Sequence, residues 1–178
     1  MPLDVDGLTD GIGWWSPARR ALFMPGGLRV TRSLGASVKK FRFTADTCFV
    51  DVVRACGDPR RPQGWIDDNV VSAYCALHEL GVAHSVEVWR DDDLVGGLYG
   101  VDVGGIFAGE SMFHRVTDAS KAALVRLVEL AGDRVIDTQW LTDHLARLGA
   151  VEVARGDYLT LLARRRDEPA IDWPIGAL

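Results

Sequence analysis

The chain has 178 residues, 48% hydrophobic and 25% charged, the proportions of one ordinary globular domain with a real core. No apolar run approaches the ~20 residues of a membrane span, and the acidic start MPLDVDGLTDG is unlike a signal peptide, so a cytoplasmic protein with no membrane partner is expected. Cys48, Cys56 and Cys75 are odd in number and lack CxxC spacing, which argues for reduced buried thiols and against a disulfide framework or a zinc site.

The net charge of -5 argues by itself against a nucleic-acid partner, but its distribution is uneven. Residues 11–61 are +7, the first ten residues -3 and residues 62–178 -9. The basic set comprises Arg19, Arg20, Arg29, Arg32, Lys39, Lys40, Arg42, Arg54, Arg60 and Arg61. One face for phosphates and another for a cationic group would produce this split; so would a charge-mixed solvated surface.

Residues 1–13 read as a loose lead-in, 14–168 as one domain and 169–178 as an irregular tail. ALFM (21–24), a PGG turn and LRVT (28–31) read as a hairpin. Residues 41–46 alternate as a strand, and Asp46 or Thr47 is placed to cap a helix running to Cys56. GDPRRPQG (57–64) is a surface loop. Residues 67–80 form a helix, with acids at its start and Gly81 after its last turn. HSVEVWR (84–90), LVGGLYGVDV (94–103) and IFAG (106–109) are joined by turns too short for crossovers, so they form an antiparallel meander. A second long helix spans 118–131, followed by a short apolar strand RVIDTQ (134–139) of central character. A short helix at 142–148, a strand VEV (151–153) and a helix at 155–166 complete an α+β domain.

Four features carry possible chemistry. GESMF (109–113) stops a strand at a glycine and an acid, and Glu110 is either presented there or a turn acid in water. In IDTQ (136–139), Asp137 and Gln139 are two apart and share one face of an apolar strand. Such a pair is costly unless partnered or needed. Three glycines in GGLYG (96–100) mark a bulge or the close approach of another backbone or a ligand. Trp14, Trp15, Trp65 and Tyr74 are aromatics able to stack on bases or to fill a core. The four histidines show no metal spacing, His84 reads as a satisfied core histidine, and no Walker loop or dinucleotide fingerprint occurs.

Longer runs carry a resemblance. WWSPARRALF, GWIDDNVVSAYCALHELG, HELGVAHSVEVWRDDDLVGGLYGV, GESMFHRVTDASKAAL, VIDTQWLTDHLARLGA and RGDYL occur in collinear order and resemble the leucyl/phenylalanyl-tRNA–protein transferase family over roughly residues 14–162. The resemblance implies a GCN5-related acetyltransferase-like fold, a mostly antiparallel mixed sheet flanked by helices. It implies a leucyltransferase reaction without cofactor. The α-amine of a protein beginning with Arg or Lys attacks the ester joining Leu or Phe to tRNA, marking a bacterial protein for N-end rule degradation. On the family's pattern Asp137 and Gln139 fall on the catalytic pair, Gln139 engaging the amine and Asp137 polarising it. Glu110 falls on the active-site glutamate. Leu98, Leu124 and Leu127 fall on the donor side-chain pocket, with Phe107 on the matching strand. Trp65 and Tyr74 fall at the donor adenosine. Arg19, Arg20, Arg29, Arg32, Lys39, Lys40 and Arg42 are the expected tRNA-facing cations.

The chain departs from the family in reading as a short form. Only thirteen residues precede Trp14, and the family's Phe-Pro-Trp-Phe stretch, whose Trp stacks on the adenosine, is absent, leaving Trp14 or Trp15 to replace it. A pocket-lining Phe of the family is Leu127 here, and a frequent Asn is Thr142. A transferase with another acceptor, or a non-catalytic tRNA-binding domain, are the alternatives. Acetyl-CoA is not expected, because bulky residues and an acid stand in GESMFHRVTDASKAAL where a pyrophosphate loop needs glycines.

Overall fold

The computed structural model describes residues 2–4, 12–60 and 65–178, with side chains described from residue 15 onward outside 61–64. β1 (Pro2–Asp4) and β2 (Ile12–Trp14) pair as an antiparallel ribbon apart from the main sheet, within the stretch that reads as a loose lead-in. In β3 (Arg19–Phe23), Ala21, Leu22 and Phe23 are each no more than 1% exposed. A strand apolar on both faces needs cover on both, which a local hairpin does not give. The PGG turn forms, with Gly27 N–H donating to the Met24 carbonyl, but residues 28–31 do not return alongside β3. Thr31 instead caps α1 (Arg32–Val38), its hydroxyl accepting from Leu34 N–H. The hairpin expected at 21–31 is therefore replaced by pairing of β3 with strands from the far end of the chain.

β4 (Arg42–Ala45) leads to α2 (Phe49–Cys56), whose first cap is Cys48 rather than Asp46 or Thr47. Asp46 takes a left-handed φ of 54° and commits its carboxylate to His84 Nδ1 (2.7 Å) and Ser85 N–H (2.8 Å). In α3 (Asp68–Glu79) the Asp67 side chain caps Val70 N–H, and Gly81 (φ 69°) ends the last turn. β5 (Ala83–Arg90), β6 (Asp93–Val103) and β7 (Ile106–His114) form the expected antiparallel meander. α4 (Ala119–Ala131) crosses over to β8 (Val135–Gln139), which runs parallel to β7. α5 (Asp143–Arg147), capped by Thr142, then leads to β9 (Val151–Ala154) and α6 (Arg155–Arg165).

The tail carries little regular structure but is docked on the domain. β10 (Gly176–Ala177) adds to β4, and Asp102 Oδ2 accepts from Ile171 N–H and Trp173 Nε1. Trp173 stacks on His84 at 4.4 Å between centroids. The eight-stranded sheet runs β10-β4-β5-β6-β7-β8-β3-β9, with one parallel pair, as expected of a mostly antiparallel mixed sheet. α1, α4 and α5 cover one face, while α2, α3 and α6 cover the other.

Two of the strand glycines serve this packing. A Cβ on Gly96 would lie 2.6 Å from Ala119 Cβ, and one on Gly100 would lie 2.3 Å from the Ala108 carbonyl. The close approach at both comes from the protein's own chain. Among the described residues no helix is long and apolar enough to cross a membrane.

Candidate active site

Glu110 does not end its strand. β7 continues to His114, and its register with β6 jumps from Tyr99↔Ser111 to Gly100↔Gly109, so Glu110 is the extra residue of a β-bulge. The bulge exchanges faces: Phe107 before it and Met112 after it both join the α4-side cluster, although five residues apart. It also re-aims Glu110, which lines a cavity of about 100 Å³ with Leu98, Met112, Leu124, Leu127 and Ile136. Burial pushes the Glu110 carboxyl above the usual carboxylate range, and bonds from the Gln139 amide and the Tyr74 hydroxyl oppose that shift. The Gln139 bond, Nε2 to Glu110 Oε2, is 3.1 Å.

Asp137 and Gln139 sit at an irregular end of β8. Ile136 and Thr138 line the cavity, whereas Asp137 is fully buried on the α6 side. Asp137 Oδ1 accepts the main-chain N–H of Gln139 at 2.8 Å. Gln139 has a left-handed φ of 67°, uncommon for a residue with a side chain. The β3–β8 register shifts here, from Ala21↔Gln139 to Leu22↔Asp137. The backbone irregularity at residue 139 lets the Gln139 side-chain amide reach Glu110 while the Asp137 carboxylate holds the Gln139 main chain. The Oδ2 atom of Asp137 is ion-paired with Arg20 Nη1, and the Tyr158 hydroxyl bonds the same carboxylate.

The remaining expected residues divide. Leu98, Leu124 and Leu127 line the cavity, but Phe107 is fully buried behind it, packed against Trp173. Tyr74 is 6% exposed, with its ring edge-on to Tyr99 and its hydroxyl on Glu110, so it offers no free face for a base. Trp65 is half-buried in the same cluster, Trp15 is exposed, and the Trp14 side chain lies outside the described residues. Arg19, Arg29, Arg32, Lys39, Lys40 and Arg42 are exposed, Arg19 bridging to Glu152. Arg20 is not among them: it is 9% exposed and turned inward to Asp137, so its place among the tRNA-facing cations is corrected. Sequence reasoning did not single out Met112, Ile136, Thr138 or Leu145 as lining residues, though Ile136 and Thr138 flank Asp137 in strand alternation. Arg20 and Tyr158 left no local signal of their link to Asp137.

Asp46, His78 and His84 bring three possible metal ligands within 4.8 Å. Each is already engaged: Asp46 with His84 and Ser85 N–H, His78 Nδ1 with the Ala83 carbonyl (2.8 Å), and His84 Nε2 with the Gly81 carbonyl (3.2 Å). No disulfide joins the three cysteines, and burial first, with Glu87 and Asp51 beside it, pushes the Cys48 thiol up to about 12. That thiol is unreactive at neutral pH.

The site thus sets an apolar cavity beside the Glu110 carboxylate on an eight-stranded mixed sheet, and comparison with known proteins defines its class as an aminoacyl-transferring enzyme. The family model described as leucyl/phenylalanyl-tRNA protein transferase matches residues 22–163. A relative of that name from Shewanella woodyi is 46% identical over 169 residues, covering 91% of this chain and 72% of its own length. The chain belongs to the leucyl/phenylalanyl-tRNA–protein transferase family. Among solved structures, a functionally unknown conserved protein from Staphylococcus epidermidis shares the fold with a TM-score of 0.50 at 10% identity, covering 76% of this chain and 58% of that one. A GCN5-related N-acetyltransferase from Kribbella flavida aligns with a TM-score of 0.46 at 12% identity, covering 78% and 55%.

Proposed function

We propose that the chain transfers Leu or Phe from charged tRNA to the N-terminal α-amine of a protein beginning with Arg or Lys. One observation carries the reading: a largely apolar cavity of about 100 Å³ has Glu110 in its lining, and the Glu110 carboxylate accepts from Gln139 Nε2 at 3.1 Å. The cavity takes a branched or aromatic donor side chain by apolar burial, at ~0.8 kcal/mol per methylene. The aminoacyl ester then lies at the polar rim. Gln139 Nε2 is spent on Glu110, which leaves Oε1 to accept an N–H of the incoming amine. Glu110, made more basic by burial, accepts the proton released as the amine attacks the carbonyl. Collapse of the tetrahedral intermediate breaks the ester and returns that proton to the tRNA hydroxyl. The ester is already activated, so placing the amine supplies most of the rate.

Exposed Arg29, Arg32, Lys39, Lys40 and Arg42 suit a phosphate backbone, and Trp15 and Trp65 suit the terminal adenosine. The net charge of -9 over residues 62–178 suits a cationic acceptor. Acetyl-CoA is disfavoured because the turn into α4 carries the Asp118 carboxylate, tied to Lys121 and Ser37, where a pyrophosphate would approach.

The test incubates the protein with tRNA charged with radiolabelled leucine and a peptide beginning with Arg. Label moves to that peptide and not to its N-acetylated form. If nothing moves while a full-length relative transfers under the same conditions, the reading is wrong.

A further inference from the structure

Asp137 is the buried carboxylate from which Gln139 hangs, and a charge in that position needs a counter-charge. Arg20 supplies it through Nη1. Its guanidinium lies over the Tyr158 ring, 4.5 Å from the centroid, and the Tyr158 hydroxyl turns to the same carboxylate. Arg20 Nε is buried without a hydrogen-bond partner. That costs free energy, and the arginine is held in place despite it. The arrangement follows from topology: Arg20 and Leu22 share the α6 face of β3, and β3 pairs with the strand that carries Asp137.

Resting on the transferase reading, we propose that Arg20 and Tyr158 are positioning residues for the reaction. They hold the Asp137 carboxylate so that Oδ1 fixes Gln139 in its left-handed conformation, which in turn aims the Gln139 amide at Glu110 and the attacking amine. Arg20 then acts through Asp137 and touches no phosphate, although its charge and sequence position suggest otherwise.

The two roles separate kinetically. Arg20→Met lowers kcat on the order of 10²-fold, the scale of a misplaced reacting group, and leaves the KM for charged tRNA and its salt dependence unchanged. Arg20→Lys, which keeps charge without the planar fork, recovers part of the rate. Adding Asp137→Asn to Arg20→Met costs no more than Asp137→Asn alone. A raised KM with a shallower salt dependence and unchanged kcat would instead make Arg20 a phosphate contact and overturn the proposal.

A second readout does not require turnover. The chain has two glutamines, Gln63 and Gln139, so selective 15N-glutamine labelling yields two backbone amide signals, distinguished by a Gln63→Ser variant. The Gln139 amide exchanges slowly in the parent protein and faster by more than about tenfold in Arg20→Met or in Tyr158→Phe, which removes one hydroxyl and serves if the first variant does not fold. An unchanged Gln139 amide in a folded variant refutes the proposal. A perturbed amide in a protein that transfers nothing sinks the transferase reading and leaves the positioning network standing.

Discussion

Leu127→Ala tests whether the cavity reads the donor side chain. Leu127 is 1% exposed on α4 and lines the cavity opposite Glu110's strand. The truncation removes three carbons, about 2.4 kcal/mol of burial at ~0.8 kcal/mol each in the empty protein, and separately takes packing atoms away from the bound donor. The cost to the fold lies near the low end of the 2–5 kcal/mol typical of Leu→Ala, because the change enlarges an existing cavity. That lowers Tm by roughly 5–10 °C and leaves the protein folded well below it. The donor's loss of packing, on the order of 1–2 kcal/mol, slows transfer of Leu by roughly 5–30-fold. Phe, with a longer ring, fills the vacated space and loses less. The assay compares kcat/KM for Leu-tRNA and Phe-tRNA with one Arg-initiated peptide, and the Phe:Leu ratio rises several-fold. Equal losses for both donors, with the ratio unchanged within about twofold, would show that Leu127 does not touch the donor side chain.

Glu110→Gln removes a carboxyl held above its ordinary range, so transfer by the parent rises with pH through an inflection above ~4.3 that the variant lacks. The same shift has a stability sign. The folded state keeps this proton to higher pH than the unfolded chain, so its contribution falls as pH rises from ~4.3 through the folded value and is flat above it. Denaturant midpoints across that window fall less steeply in Glu110→Gln than in the parent; identical slopes would contradict the assignment. Trp173→Ala removes the ring stacked on His84 and the Nε1 donor to Asp102, costing about 3 kcal/mol, or roughly 6–12 °C in Tm. A melting temperature within about 2 °C of the parent would show that the tail does not brace the sheet.

Element type was legible wherever one local rule governed it. The long helices α3 and α4 and the β5–β6–β7 meander follow from apolar period, caps and short turns. The β3 hairpin failed because ALFM and LRVT carry no mark of which edge will pair. A run apolar on both faces is stabilised by neighbours from residues 135–154 that sequence proximity does not reveal. What docks the tail is likewise invisible locally: Trp173 and Ile171 find Asp102 some seventy residues away, and neither side of that bond has a local pattern.

The site shows the same division at higher stakes. Glu110, Asp137, Gln139 and three pocket leucines were identifiable by type and place, but how they face one another depends on two irregularities. A bulge at Glu110 and a left-handed Gln139 each break the period-of-two rule from which shared faces were inferred. The bulge lies within the local β6–β7 pair, opposite Gly100 of the glycine run, whereas the Gln139 irregularity lies where β8 meets β3 from the other end of the chain, so only the second depends on long-range register. Arg20 makes the point most sharply. Summed with its neighbours it belongs to a +7 segment and reads as a phosphate contact; placed on β3 beside β8 it neutralises one buried carboxylate. A count of charges gives the sign of a residue's field, and the strand pairing decides which anion that field meets.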